Sequence, residues 1–275
     1  MDSVSLTDHE NRLSMTPPFK VTSYNILADS YVRPEWFAHI DPEVLKWEKR
    51  SVALLRKIES FDADVICLQE VTQAAYAFFE VHLRDHGYQG SFAKKEQKKP
   101  DGCATFFRQG SLQYRNSRTI YYSDGEGVAN TGHLALISSF ESEAGVISIA
   151  NTHVKWDVAD KPGEDHLGYR QIKELIHRHI KADQSAHAWI ICGDFNAPPD
   201  SPLISELLNN GFVDAYQGAE QNTYNSNRAA KRIDFLFHTS NLKAKPAKIR
   251  DIDGLTVLPS EDEPSDHLAV SAVFE

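Results

Sequence analysis

ICGDFNAPPDSP, residues 191–202, starts as an apolar run and ends in a loop holding three prolines. Extended toward its N-terminal side it becomes AWIICGDFN (188–196), a strand apolar at every position through Cys192. Both alternating faces of such a strand need cover, so it belongs inside a layered α/β protein. It leaves the core carrying Asp194 and Asn196, which sit two residues apart and so share one strand face. The helix signal SPLISELLNNG (201–211) begins too far downstream for Asp194 to cap it. A structural role therefore does not explain this polar pair.

The same pattern recurs along the chain. FKVTSYNIL (19–27), DVICLQEV (64–71), GCATFFR (102–108), LALISSF (134–140), VISIANTHV (146–154), RIDFLFH (232–238) and HLAVSAVFE (267–275) read as strands. Residues 42–60, 74–86 and 166–182 carry helical periodicity. About ten strands exceed what one sheet normally holds, so two sheets packed face to face with helices outside are expected. Several strands are apolar through the body and polar at the end: Asn25, Glu70, His153, then Asp194 with Asn196. Asp234 and the pair Asp266–His267 lie inside or just before late strands. Ends that share one sheet edge converge in one cleft.

Bulk properties narrow the function classes. The 275 residues carry 29 Lys+Arg against 39 Asp+Glu, a net charge of −10. A protein that grips long duplex DNA through its phosphates is usually basic, so a repair endonuclease is disfavoured and any nucleic acid held here is short. No apolar run reaches the length of a membrane span. Residues 1–18 read as a polar tail without the features of a signal peptide, followed by a single domain over 19–275. Cys67, Cys103 and Cys192, an odd number set in apolar runs, point to core packing in a reducing, cytoplasmic setting.

Asn25, Glu70, His153, Asp194, Asn196, Asp234, Asp266 and His267 together supply carboxylates, carboxamides and imidazoles without a thiolate. Hard oxygen donors with few nitrogens suit Mg²⁺ or Mn²⁺ better than zinc. No glycine-rich phosphate loop, GxGxxG or nucleophile elbow is present. What this set can do is cleave a phosphate ester with water: a metal polarises the phosphoryl oxygens, a carboxylate handles the water, and imidazolium and amide donors stabilise charge.

SYNIL, LQEV, NTHVKW, CGDFN, RIDF and SDH follow one another in an order that resembles the endonuclease/exonuclease/phosphatase superfamily, from about residue 20 to the C-terminus. SYNILADSY (23–31), KKPDGCATFFR (98–108), ANTHVKWD (150–157) and CGDFNAPPDS (192–201) are most similar to its nocturnin and poly(A)-deadenylase branch, with the Angel proteins and 2′-phosphodiesterases. The resemblance implies a four-layer α/β sandwich of the DNase I kind, with two central mixed sheets, and Mg²⁺-dependent phosphoester hydrolysis. It implies Glu70 as the main metal ligand with Asn25 and Asp266 nearby, and Asp194 as the group that orients or activates water. It further implies Asn196 at the phosphate or metal, His153 at the phosphoryl oxygens, Asp234 holding an imidazole, and His267 on the scissile phosphate or metal. The sequence departs from that branch at Val158, where the deadenylases place proline, and at NRAAK (227–231), where they carry an aromatic. At residues 132 and 133, where many relatives have Asn, it has Gly132 and His133, and no leucine-rich-repeat extension is present.

The expected substrate is single-stranded RNA cleaved from its 3′ end, with Tyr31, Trp36 and Trp156 available to stack bases and His133 beside them. KKEQKK (94–99) reads either as a basic contact for RNA or as a solvated loop. The alternative is a phosphatase or phosphodiesterase acting on RNA 2′,3′-cyclic phosphate ends, nucleotides or another small phosphorylated molecule. A catalytically inactive binding module is the third reading, disfavoured because every motif position keeps a competent residue. Neither a protein partner nor membrane attachment is indicated.

Overall fold

The computed structural model describes residues 17–33, 35–110, 112–125, 127–158 and 161–275. Residues 1–16 of the expected tail therefore lie outside the described residues. In chain order the strands are β1 (Phe19–Asn25), β2 (Val65–Thr72), β3 (Tyr88–Lys94), β4 (Asp101–Arg108), β5 (Gln113–Tyr121), β6 (Leu134–Ser142) and β7 (Gly145–His153). They continue with β8 (Ala186–Asp194), β9 (Phe212–Asp214), β10 (Tyr224–Ser226), β11 (Ala229–Lys231), β12 (Asp234–Thr239), β13 (Ala244–Pro246) and β14 (Val270–Phe274). The α-helices are α1 (Pro42–Leu45), α2 (Trp47–Ser60), α3 (Gln73–Arg84), α4 (Leu167–Glu174) and α5 (Pro202–Asn209).

Two six-stranded mixed sheets form the centre, ordered β13-β14-β1-β2-β4-β3 and β5-β6-β7-β8-β12-β9. Each has a parallel pair at its middle, β1 with β2 and β7 with β8. The apolar character of the 188–196 stretch is now accounted for. Ala188, Ile190 and Cys192 point between the sheets, against Val21, Val65, Cys67 and Val270. Trp189 and Ile191 point outward, against Ile172, Leu175, Ile176, Leu203 and Leu207 of the covering helices. On the other side Tyr24, Ile66, Leu68 and Phe106 pack under Leu54, Ile58, Phe79 and Leu83 of α2 and α3. The four layers expected from the sequence are present.

Two expected helices differ in detail. The 42–60 segment is broken at Lys46, whose ψ of 130° is extended, so α1 and α2 are separate. The 166–182 segment is helical only to Glu174 and then widens into a π-turn over Leu175–Ile180. α5 is capped as its sequence suggests: Ser201 accepts from the Ile204 amide at 3.3 Å, with Pro202 in the first turn.

Just below the site the sheets are joined by polar groups rather than apolar ones. Gln69 Nε2 donates to Asn151 Oδ1 at 2.8 Å, and Asn151 Nδ2 donates to the Ala104 and Leu68 carbonyls at 2.9 and 3.2 Å. Both side chains are fully buried, and these bonds fix how one sheet sits over the other.

Candidate active site

Strand ends do converge, as the apolar-then-polar pattern requires. His153, Asp194 and Asp234 are register partners across β7, β8 and β12 and stand at one level. Gly193 lets β7 and β8 close up there: its φ is +144°, and a Cβ would fall 1.8 Å from the Thr152 carbonyl oxygen. Asn25 ends β1 in the facing sheet, and Asp266–His267 lead into β14.

Glu70 arrives by a different route. Simple alternation along β2 would send it to the outer face with Leu68. A bulge between Gln69 and Val71 leaves Glu70 without a partner on β4, at a φ of +59°. That left-handed conformation costs about 1 kcal/mol or more in a non-glycine residue, and it turns the carboxylate into the cleft. The Ala28 amide donates to Oε2 at 2.9 Å and Asn25 Nδ2 to Oε1 at 3.2 Å. Burial, then the Asp101 and Asp266 carboxylates, raises its pKa to about 7.

Asn196 also differs from the expectation. β8 stops at Asp194, and Asn196 lies beyond it with φ +51°. The two share a face because the Asn196 amide folds back onto Asp194 Oδ1 at 2.9 Å, while Phe195 between them is buried against Phe235 and Phe237. Asp194 Oδ2 accepts from Asn25 Nδ2 at 2.9 Å and lies 3.5 Å from His153 Nε2 and 3.7 Å from His267 Nε2. Burial raises Asp194 to about 6, against the lowering influence of His267.

The imidazoles are set in opposite states. His267 Nδ1 is 2.9 and 3.1 Å from the two oxygens of Asp234. Burial lowers its pKa, but Asp234 and Asp194 raise it further, to about 10, so it is an imidazolium at neutral pH. His153 is pushed well down by burial and by Lys95, and is neutral. Its Nδ1 faces the Lys95 ammonium at 3.2 Å and its Nε2 faces the Asn196 amide nitrogen at 3.0 Å.

A cleft of about 640 Å³ gathers these groups. Glu70, His153, Asp194, Asn196, Asp266 and His267 line it with Tyr31, His133 and Trp156. Asn25 and Asp234 are buried behind the surface, under Glu70–Asp194 and behind His267 respectively. Tyr31 is committed: its hydroxyl donates to Asp101 Oδ1 at 2.7 Å. Sequence reasoning missed Lys95 and Asp101, a buried ion pair at 2.8 Å that continues the chain from Tyr31 to His153. Both lay inside quoted stretches, Lys95 in the lysine run and Asp101 in KKPDGCATFFR, but only burial separates them from their solvated neighbours.

The site meets the requirements of a hard cation. Burial raises Glu70, Asp194 and Asp266, and in each case it outweighs the nearby cation, Lys95 for Glu70 and His267 for Asp194 and Asp266. Asp266 Oδ1 is buried without a hydrogen-bond partner among the described residues. Asn25, by contrast, turns its amide toward the carboxylates, and its oxygen accepts from the Leu27 amide at 3.0 Å. Asp194, Asp234 and His267 also bring ligand atoms within 4.8 Å of one another. As an imidazolium bound to Asp234, however, His267 is a poor ligand.

Residues 22–267 match the Endonuclease/Exonuclease/phosphatase family. The chain belongs to this family. That places it among phosphoester hydrolases that are generally dependent on divalent metals. Among curated relatives, the CCR4-NOT transcription complex subunit 6-like-B of Xenopus laevis is 26% identical over 254 residues, 76% of this chain and 46% of that protein. The chain thus spans about half the length of that relative. Among solved structures, ANGEL2, a 2′,3′-cyclic phosphatase in complex with adenosine-2′,3′-vanadate, superposes with a TM-score of 0.80 at 22% identity, covering 94% of this chain and 95% of that one. The human nocturnin catalytic domain with bound sulfate gives 0.72 at 26% identity, covering 94% and 93%. No helix among the described residues is long and apolar enough to cross a membrane.

Proposed function

We propose that the protein is a Mg²⁺-dependent phosphodiesterase, with Mn²⁺ able to substitute, that removes nucleotides from the 3′ end of short single-stranded RNA. One observation carries this reading: the carboxylate–imidazolium cluster lies at the floor of a cleft whose walls hold exposed indoles and cations. Trp36 and Trp156 are 51% and 58% exposed and line that cleft with Arg33, Lys95, Lys99, Lys155 and Lys231. Stacking faces interleaved with cations suit a single strand, and confinement to a cleft reconciles that with the net charge of −10. Similarity to the CCR4-Not complex 3′-5′-exoribonuclease subunit Ccr4 of Aspergillus niger supports the same substrate class.

Glu70 and Asp266 would hold the ion, with Asn25 fixing the Glu70 carboxylate. When bound, Mg²⁺ supplies positive charge to the phosphate oxygens and the departing oxygen. Asp194, held by Asn25 and the Asn196 amide, orients the attacking water and takes its proton. His267, kept charged by Asp234, donates to the non-bridging oxygens as charge builds, with the neutral His153 ring beside them. Asn196 Nδ2, 3.0 Å from His153 Nε2, lies where it contacts the same phosphate. The free, buried cysteines fit the proposed cytoplasmic setting.

The second reading, a phosphatase on 2′,3′-cyclic RNA ends or nucleotides, is favoured by the likeness to ANGEL2 over nearly the whole of both chains. A Mg²⁺ assay on A-, C- and U-tailed RNA, a 2′,3′-cyclic-phosphate RNA and a nucleotide panel separates the two. Stepwise shortening of the tailed RNAs is expected. Release of phosphate from the cyclic or mononucleotide substrates alone would replace the first reading with the second.

A further inference from the structure

The wall facing the carboxylates is basic in a way that hydrolysis at one phosphate does not require. KKEQKK (94–99) separates by burial: Lys94 and Lys98 are exposed, Lys95 is sealed against Asp101, and Lys99 is half-buried on the cleft wall. A tight turn produces this separation. Gln97 and Lys98 take φ values of 54° and 59°, and the Lys99 amide closes on the Glu96 carbonyl at 3.1 Å. The Glu96 amide donates to the Gly132 carbonyl at 3.0 Å, which fastens the lysine turn to the loop carrying His133. The approach is close enough that a Cβ on Gly132, at φ +75°, would lie 2.6 Å from the Glu96 oxygen.

Lys155 completes the wall. Its amide is held by Gln171 Oε1 at 2.9 Å, and its ammonium, held by the Trp156 carbonyl at 2.7 Å, sits 5.8 Å from the centre of the Trp156 ring. These groups repel one another. Burial, then Lys95, Lys99 and Lys155, pushes His133 down to about 2, and burial, then Lys99, lowers Lys155. Neither Lys99 nor Lys155 has an ion-pair partner among the described residues. In a chain with a surplus of carboxylates, an uncompensated cationic wall inside a concave site is a place for an anion. His133 contributes as a neutral ring, held with its Nδ1 2.9 Å from Thr131 Oγ1, which also accepts from Gln171 Nε2 at 3.1 Å.

The scissile phosphate is already served by His153, Asn196 and His267, and Lys95 is occupied by Asp101. His133 stands beyond, its ring centre 6.1 Å from that of His153. We propose that Lys99, Lys155 and His133 form a subsite for a second phosphate of the substrate, distinct from the one hydrolysed, so that the preferred substrates carry at least two phosphates. This rests on the phosphodiesterase reading above. It makes a phosphodiester strand or a phosphorylated dinucleotide a better substrate than a nucleoside with one phosphate.

The test compares kcat/KM for ApA, pApA and ApApA in Mg²⁺, using the whole chain. Wild type should favour pApA, ApApA or both over ApA by roughly ten- to a hundredfold, the worth of a charge-assisted hydrogen bond. Preference for ApApA alone identifies the next phosphate of a strand, and equal preference for pApA identifies any neighbouring phosphate. The Lys99→Ala/Lys155→Ala double variant should bring those ratios close to one, and Lys99→Arg/Lys155→Arg should restore them. Hydrolysis of all three with equal kcat/KM in wild type would overturn the subsite and leave the phosphodiesterase reading standing. Ratios that survive in the double variant would likewise overturn it. No hydrolysis of any of the three would overturn both.

Discussion

Glu70→Gln should stabilise the metal-free protein while destroying its activity, and the size of the gain follows from the site. Burial and the neighbouring Asp101 and Asp266 lift Glu70 from an ordinary 4.5 to about 7. Each tenfold loss of acidity is worth about 1.4 kcal/mol, so an ionised Glu70 costs the metal-free fold up to about 3 kcal/mol at roughly pH 8. The raised value sets the sign: the contribution is intact below about 4.5 and is lost as pH climbs through about 7. Glutamine removes the charge but has one acceptor atom where the carboxylate has two. One of the bonds from Ala28 and Asn25 is then lost, at about 1 kcal/mol. Chelator-treated Glu70→Gln should therefore exceed wild type by about 2 kcal/mol in urea unfolding near pH 8 and show no advantage near pH 5. Saturating Mg²⁺ should close the gap at pH 8 by stabilising wild type alone. A difference that is the same at both pH values, or a variant less stable than wild type at both, would refute this account of the cavity's charge.

Asp194→Asn should lower kcat at least a thousandfold, roughly the weight of a lost general base, with little change in KM; a fall in affinity alone would remove Asp194 from water activation. The pH–rate profile should rise as Glu70 and Asp194 lose their protons, at or below about 7, and fall near about 10 as His267 loses its own. Asp234→Asn removes the main support of that imidazolium, so the alkaline fall should move to lower pH, and an unmoved limb would show that His267 does not set it. Asn151→Leu breaks the bonds to Gln69, Leu68 and Ala104, and at about 1 kcal/mol each should cost about 3 kcal/mol in urea unfolding. A loss well under 1 kcal/mol would mean that the inter-sheet network does not hold the layers in register.

The layers were legible because their central strands are apolar on both faces. Trp189–Ile191 against Ile190–Cys192 is the clearest case, and it requires cover above and below. Edge strands were not legible. β5 is polar and mostly exposed, with Arg115 and Arg118 along it, and β3 buries little beyond Tyr88 and Ala93. Such strands are held by ladder hydrogen bonds that carry no residue signature, and their charge keeps the edge from pairing with another chain. The short β9, β10, β11 and β13 escaped for the same reason.

Within the site, residue identities were legible and their routes were not. Glu70 reaches the cleft only through a bulge, and Asn196 only through a turn beyond the end of β8. Period-two alternation gives no warning of either. Lys95 and Lys99 were hidden in a lysine run, and separating them needed the Gln97–Lys98 turn. Opposite protonation of His153 and His267 likewise depends on partners far away in the chain, Lys95 and Asp234.

The central claim is that Glu70 and its neighbours form a divalent-metal centre that hydrolyses phosphodiesters in RNA. Its most direct test is a Mg²⁺ titration of the cleavage of a short 5′-labelled RNA by wild type and by Glu70→Ala, with circular dichroism confirming that both are folded. Wild type should be silent in chelator, active with Mg²⁺ or Mn²⁺, and shorten the RNA stepwise from its 3′ end, while folded Glu70→Ala stays inactive at every Mg²⁺ concentration. Cleavage that persists in chelator, or a Glu70→Ala enzyme as active as wild type, would contradict it.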